Sequence, residues 1–388
     1  MTKQVDDPET IARARAALQR QDWRGAVELF DAVVDPSLPI DVLLDQALAL
    51  RMSGDLSQAV AVLDRILVLD PRHFLTLLSK GALLERLGKI KSAAVVYNNA
   101  LATAPPDDAL PNSLVAPVKR ARDAVRAHAE ALADVLRSSV ADLRDRHPDE
   151  ALGRFNESLE MYSGLAHPYP QQPLVFHYPR LPAIPFYDRD LFPWLAELEA
   201  ATPTLQAELT QVRNIRPTDF KPYVVFPPGV PVNQWGALNH SRDWSTFFLW
   251  RDGVRQDDAC AQCPAAASLL QSLPIADQPG FAPTAMFSVL DGRKHIPPHT
   301  GAANTRLIVH LPLVLPGPAR FRVGAETRDW RMGEAWVFDD TIEHEAWNDA
   351  DAPRTILIFD IWNPLLSEAE RALVSAMMTA KNAYMAND

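Results

Sequence analysis

The sequence predicts a two-part protein: an α-helical repeat array followed by an all-β barrel or jelly roll. Three observations carry that expectation. GDLSQAVAVLDRILVLDP from Gly54 is echoed by GKIKSAAVVYNNALATAP from Gly88, so that Ala59 recurs as Ala93 and Pro71 as Pro105 at a period of 34. Prolines, 33 in all, crowd between Pro168 and Pro318, where their missing N–H disfavours helix. Short apolar runs then follow (AMFSVL, TRLIVHLPLVL, ARFRV, EAWVF and TILIFDIW), separated by Gly, Pro and Asp turns.

In the first part, a weaker copy, QDWRGAVELFDAVV, places Ala26 33 residues before Ala59. Ala14, Ala47 and Gly81 keep nearly the same step, at positions where the two helices of a hairpin approach closely. These segments resemble tetratricopeptide repeats, which implies three stacked hairpins over residues 1–110, with a concave face for a peptide or protein, or a surface that packs on the next domain. Residues 111–165 are expected to be a helical linker or cap. A helix over 116–146 would bury Val118, Ala121, Val125, Ala129, Leu132 and Leu136, His147-Pro148 would break it, and a second helix would run from about Glu150 to Met161.

The third region, residues 166–388, opens with a proline-rich extended stretch, then a helix from about Pro193 to Gln211. A buried strand in WSTFFLWRDG, a helical turn near 265–272, the β segments and a closing helix from Ser367 to Met385 complete it.

Composition narrows the function. A chain of 388 residues with 47% apolar content can bury a sizeable core, and a formal charge of −11 argues against a general nucleic-acid binder. The start MTKQVDDPET lacks a basic and an apolar leader region, and no apolar run reaches membrane-spanning length, so no membrane anchor and a cytoplasmic location are expected. Cys260 and Cys263 are too few for a disulfide framework, and one CAQC pair supplies half a zinc site, so a structural role is expected.

The chemistry gathers between Ser288 and Trp362. His299 and His344 sit about 45 residues apart at strand edges, and two imidazoles suit several first-row metals. In TRLIVHLPLVL, period-2 alternation sets Leu307, Val309, Leu311 and Leu313 against Arg306, Ile308 and His310, as in a barrel wall whose inner side holds an anion. Arg354, ten residues after His344, opens an apolar strand, where a guanidinium needs a carboxylate partner. His295 and the HIPPH segment read as a surface loop near the mouth, with a substrate contact as the alternative, and Asp339 as part of a turn.

From about Pro185 to Arg371 the chain resembles the aspartyl/asparaginyl β-hydroxylase family, on PFYDRDLFPWLAELEA, DWSTFFLW, the PHTGxxNxR motif of Pro298 to Arg306, the H-L-x-L of His310 to Leu313, GEAWVFDDTIEHEAWND and RTILIFDIWNP. A repeat region ahead of the catalytic domain also occurs in that family. The resemblance implies a double-stranded β-helix and an Fe(II)- and 2-oxoglutarate-dependent dioxygenase that uses O2. Its substrate would be an aspartyl or asparaginyl residue of a peptide or protein, hydroxylated at the β-carbon. It implies His299 and His344 as iron ligands and Gly301 where the wider superfamily carries Asp or Glu. Asp340 would hold a water that completes the coordination. Ser288 and Arg354 would bind the distal carboxylate of 2-oxoglutarate, with His310 facing its metal-bound end, Trp244 walling the pocket and Arg306 on the inward face. One departure bears on the substrate: Ile308 stands where family members often carry a second arginine. The same chemistry on a free amino acid or a lipid acyl chain, or a non-catalytic repeat protein with a degenerate barrel, are the alternatives.

Overall fold

The computed structural model describes residues 7–33, 38–147 and 152–385, and the chain divides into two compact units, Met1–His167 and Pro168–Asp388. In the first, three antiparallel pairs follow one another: α1 (Asp7–Gln19) with α2 (Trp23–Asp31), α3 (Ile40–Ser53) with α4 (Leu56–Leu69), and α5 (Phe74–Arg86) with α6 (Ile90–Leu101). The turn between paired helices needs a left-handed residue, and the repeat supplies Gln21, Gly54 and Gly88 there, with φ of 60°, 100° and 72°. Asp22 and Asp55 cap the following helices by accepting from the Gly25 and Gln58 N–H groups. Ala26, Ala59 and Ala93 are fully buried, and a Cβ at Gly81 would lie 2.4 Å from the Tyr97 ring. Small residues recur because the helices touch there.

Helix α7 (Asn112–Arg144) starts four residues before the expected boundary and carries Pro117 inside it. Its Val118 and Ala121 join Leu77, Leu84 and Tyr97 in one apolar cluster. The expected stripe drifts: Ala129 and Ala133 are buried, while Val125, Leu132 and Leu136 are half-buried. Helix α8 (Gly153–Ser163) follows; Pro148 and Glu150 lie outside the described residues.

The second unit is built on two antiparallel sheets. The larger contains β1 (Lys221–Pro222), β2 (Trp244–Arg251), β4 (Ala285–Leu290), β11 (Arg354–Trp362), β6 (Arg306–Val314) and β9 (Trp336–Phe338) in that order, with β3 (Val254–Arg255) paired to β2. The smaller runs β5 (Lys294–His299), β10 (His344–Asn348), β7 (Ala319–Val323), β8 (Glu326–Asp329). Alternation divides the large sheet's side chains. Phe287, Leu307, Val309, Leu311, Leu357 and Phe359 pack in one cluster with α9 (Leu195–Ala200), α10 (Thr202–Ile215), α11 (Asp257–Gln262) and α12 (Pro264–Ser272). Trp244, Leu290, Ile308 and Ile356 pack in another with Ile296, Phe321, Val323 and Ala346 of the small sheet. The expected strands and the closing helix, α13 (Glu368–Met385), are present.

Two expectations are corrected. The helix expected over Pro193–Gln211 is α9 and α10, abutting at Ala201; Pro203 sits in the first turn of α10, where its missing N–H costs nothing. HIPPH belongs to strand β5 rather than a surface loop, and its two prolines are tolerated because β5 is an edge of the small sheet.

Candidate functional site

Strand β5 delivers one histidine and β10 the other. In their antiparallel register His299 and His344 are direct cross-strand partners, with ring centroids 4.1 Å apart. The Nδ1 of His299 lies 2.7 Å from the Pro297 carbonyl oxygen and that of His344 3.0 Å from the Ile342 carbonyl oxygen. A carbonyl only accepts, so each Nδ1 carries the proton and each Nε2 keeps its lone pair. Burial, the largest cause, pushes the His299 imidazole below the ordinary range and the His344 imidazole well below it. Both rings are therefore neutral, the form that binds metals. Among the described residues no group of three or more His, Cys, Asp or Glu side chains is arranged to hold a metal ion, so the pair would need non-protein ligands to complete a coordination sphere.

The reason no third carboxylate comes from position 301 is spatial. A Cβ at Gly301 would fall 1.8 Å from the Asp340 Oδ2, and the Gly301 N–H donates to the Asp340 carbonyl at 2.6 Å. Asp340 occupies that space. Its Oδ1 is buried without a partner, and burial raises its carboxyl to about 7 against the pull of Arg306. The Arg306 guanidinium is bonded to Asp360 and lies 3.7 Å from Asp340. Arg306 thus faces inward as its strand parity requires, but its charge is already matched. Asp339 is a turn residue, accepting the Thr341 N–H at 2.9 Å.

Arg354 is the opposite case. Only 2% exposed, it is the largest fully buried side chain of the chain's described residues, and its Nε and Nη1 have no acceptor. The guanidinium lies over the Trp330 ring, 4.6 Å from its centroid, and burial lowers its pKa to about 9. Ser288 Oγ accepts the Trp244 Nε1–H at 3.0 Å, which leaves the hydroxyl proton free to donate. His310 Nδ1 is also orphaned, and burial, then Arg354 and His299, hold its imidazole well below the ordinary range. A buried cation with two unused donors costs several kcal/mol on general grounds, about 3–5 when a partner is removed. A bound anion would offset that cost.

These residues share one cavity of about 320 Å³. His299, His344, Asp340, Ser288, Arg354, His310, Trp244, Arg306 and Ile308 all line it. Sequence reasoning missed Asp360, Trp235 and Tyr223. Asp360 had a signal: it is a lone charge in an apolar strand, at the same parity as Arg354. Trp235 and Tyr223 had none, because they sit in irregular or two-residue segments without periodicity; Trp235 nonetheless packs its ring 4.9 Å from that of His299. Cys260 and Cys263 are free, buried thiols on the helical side of the large sheet, and burial pushes Cys263 up to about 12. His295 stacks on Trp347 and lies 2.8 Å from Glu345, outside the cavity wall.

Residues 199–364 match the family model described as aspartyl/asparaginyl beta-hydroxylase. The chain is 35% identical over 199 residues to the ornithine lipid ester-linked acyl 2-hydroxylase of Rhizobium tropici, a match covering 50% of this chain and 66% of that protein. It is 37% identical over 142 residues to the human aspartyl/asparaginyl beta-hydroxylase, covering 36% of this chain and 18% of that one. With aspartate beta-hydroxylase domain-containing protein 2 of Xenopus tropicalis the identity is 29% over 265 residues, 66% of this chain and 69% of the relative. The chain spans just under two thirds of the Rhizobium protein and under a fifth of the human one. No helix among the described residues is long and apolar enough to cross a membrane.

Proposed function

The chain belongs, through residues 199–364, to the aspartyl/asparaginyl β-hydroxylase family, and on that premise we propose that it is an Fe(II)- and 2-oxoglutarate-dependent hydroxylase. The carrying observation is the pairing, in one cavity, of two neutral histidines whose Nδ1 atoms face backbone carbonyls and a buried Arg354 whose Nε and Nη1 have no partner. The donor set fits the group: two imidazoles for a first-row metal, and a guanidinium with a hydroxyl for a carboxylate. Bound iron with 2-oxoglutarate and O2 would supply the oxidation, converting a substrate C–H to C–OH while the 2-oxo acid becomes succinate and carbon dioxide.

The chain's own residues do the rest. His299 and His344 hold the metal, their orientation set by the Pro297 and Ile342 carbonyls. Arg354 and Ser288 bind the distal carboxylate of the cosubstrate, with Trp244 fixing the serine oxygen. His310, neutral and lining the same cavity, would face the other end of the 2-oxo acid. Asp340 holds a water beside the metal through its unused Oδ1. The aromatic wall of Trp235, Trp244, Phe321 and Phe338 excludes bulk water.

For the substrate, the family resemblance implies the β-carbon of an aspartyl or asparaginyl residue in a peptide or protein, with the helical repeats holding that partner. A second reading, a lipid acyl chain, is favoured by the apolar lining of Met286, Ile296, Ile308 and Ile358, and the Rhizobium relative is named for acyl hydroxylation. Anaerobic titration of the Fe(II)-loaded protein with 2-oxoglutarate tests the chemistry. A charge-transfer band that Arg354→Met abolishes, and succinate formation in air, are expected. Absence of binding in the wild type, or a band unchanged by Arg354→Met, would overturn the cosubstrate assignment.

A further inference from the structure

Two arginines stand on the cavity wall, and they are anchored by opposite means. Arg306 bonds Asp360 and lies 3.7 Å from Asp340, so carboxylates hold it in place and also cancel its charge. Arg354 bonds no carboxylate among the described residues, and its Nε and Nη1 have no acceptor. What its guanidinium meets instead is the face of Trp330, 4.6 Å from the ring centre.

In a dry site these two anchors are not equivalent. A carboxylate beside Arg354 would offset its desolvation, but it would also take the donors that an incoming anion needs. An aromatic face attracts the cation through its quadrupole, most strongly where water is excluded, and takes none of the N–H groups at the guanidinium's edge. With Arg354 only 2% exposed, the ring compensates the charge and leaves it available to a ligand.

Trp330 is itself firmly placed. It directly follows β8 of the small sheet, whereas Arg354 opens β11 of the large one, so the contact crosses from sheet to sheet. Its N–H donates to the Ala319 carbonyl at 3.0 Å, and its indole stacks on Phe321 and Trp336, with centroids 5.3 and 5.8 Å away. The side chain is buried and lies behind the cavity wall rather than on it. Its Nε1 has no hydrogen-bond partner, a cost that phenylalanine would avoid. Of the aromatic side chains, however, tryptophan offers a cation the strongest face.

We propose that Trp330 is a positioning residue for the cosubstrate carboxylate: its ring holds the unliganded Arg354 guanidinium in place on the cavity wall with its donors unused. This rests on the reading above in which Arg354 binds the distal carboxylate of 2-oxoglutarate. Without the ring, a buried guanidinium that has no partner would turn away, and part of the ligand's binding energy would go into returning it.

The test titrates the full-length, Fe(II)-loaded protein anaerobically with 2-oxoglutarate and with 2-oxobutanoate, which lacks the distal carboxylate. Thermal protection by 2-oxoglutarate is followed in the metal-free protein as well. Wild type and Arg354→Met are compared with Trp330→Leu, Trp330→Phe and a protein carrying tetrafluorinated tryptophan at position 330. Fluorination keeps the shape of the ring and removes its negative face, which separates charge from packing. Trp330→Leu and the fluorinated protein should bind 2-oxoglutarate about tenfold or more less tightly, with reduced thermal protection, as expected for a desolvated cation that has lost an indole face. Trp330→Phe should stay within about threefold of wild type, because a ring remains. Affinity for 2-oxobutanoate should be unchanged throughout. Trp330→Leu also opens a cavity and lowers the melting temperature, so the fluorinated protein carries the decision. Undiminished 2-oxoglutarate binding there, or an equal loss for both oxo acids, overturns this inference alone if Arg354→Met still abolishes 2-oxoglutarate binding. Binding unchanged in Arg354→Met defeats the cosubstrate assignment, and this inference with it.

Discussion

The two faces of the large sheet are made by the same strands and obey opposite rules. On the helical face, Phe287, Leu307, Val309, Leu357 and Phe359 are completely buried. One residue along, on the other face, stand Ser288, His310, Arg354 and Asp360, also buried, and the half-buried Arg306. Here, however, Arg354, Arg306 and His310 leave donor or ring-nitrogen atoms without partners, and so does Asp340 across the cavity. The first face is arranged for stability; the second holds uncompensated polarity in place at the first face's expense. Burial alone therefore does not separate core from site here. What differs is the kind of unpartnered group: arginine and imidazole nitrogens on the cavity face, but a hydroxyl, Thr355 Oγ1, at helical-face parity in β11.

Substitutions can break this contrast in a ranked way. On the helical face Phe287→Ala should cost about 3–5 kcal/mol through a cavity that cannot collapse, read as a lower denaturation midpoint, with residual 2-oxoglutarate binding in the folded fraction. On the cavity face Arg354→Met should act in the reverse sense. It should stabilise the unliganded protein by about 1–4 kcal/mol, because an apolar group replaces a desolvated charge, while 2-oxoglutarate no longer raises the melting temperature. Loss of stability in Arg354→Met without ligand would mean that its guanidinium is already paired in solution.

Gly301→Ala tests packing beside the histidine pair. Its Cβ would overlap Asp340, so a loss of about 1–3 kcal/mol is expected, with partial rescue in the Gly301→Ala/Asp340→Gly double variant. Strict additivity in that cycle would refute the contact. The smallest effect is a kinetic one: with Cys263 pushed up to about 12 and both thiols buried, a thiol reagent at pH 8 should label neither cysteine until denaturant is added. Rapid native labelling would show that the helical face is open to water.

Much of this was legible in the chain itself. The repeat period located the three hairpins, because close helix packing demands a small residue at a constant step, as Ala26, Ala59 and Ala93 show. Strand alternation in TRLIVHLPLVL separated Leu307 and Val309 from Arg306 and His310, because a pleated strand admits only two faces. Where prolines interrupted the pattern the reading failed: HIPPH was expected as a loop, although an edge strand accommodates it. Asp360 was within reach of the argument that singled out Arg354, since it too is a charge in an otherwise apolar strand.

Other features were decided only by the tertiary structure. His299 and His344 become cross-strand partners through the pairing of β5 with β10, a register set by contacts far apart in sequence. Arg306 and Arg354, alike as inward-facing arginines, differ because Asp360 lies next to one and no carboxylate among the described residues bonds the other. Gly301 is explained by Asp340 filling its space, and the aromatic wall at Trp235 and Tyr223 comes from segments with no periodic signal. The physical reason is the same in each instance. Periodicity reports which face a side chain takes, whereas charge pairing, exclusion and cavity shape depend on which neighbours the folded sheets bring opposite it.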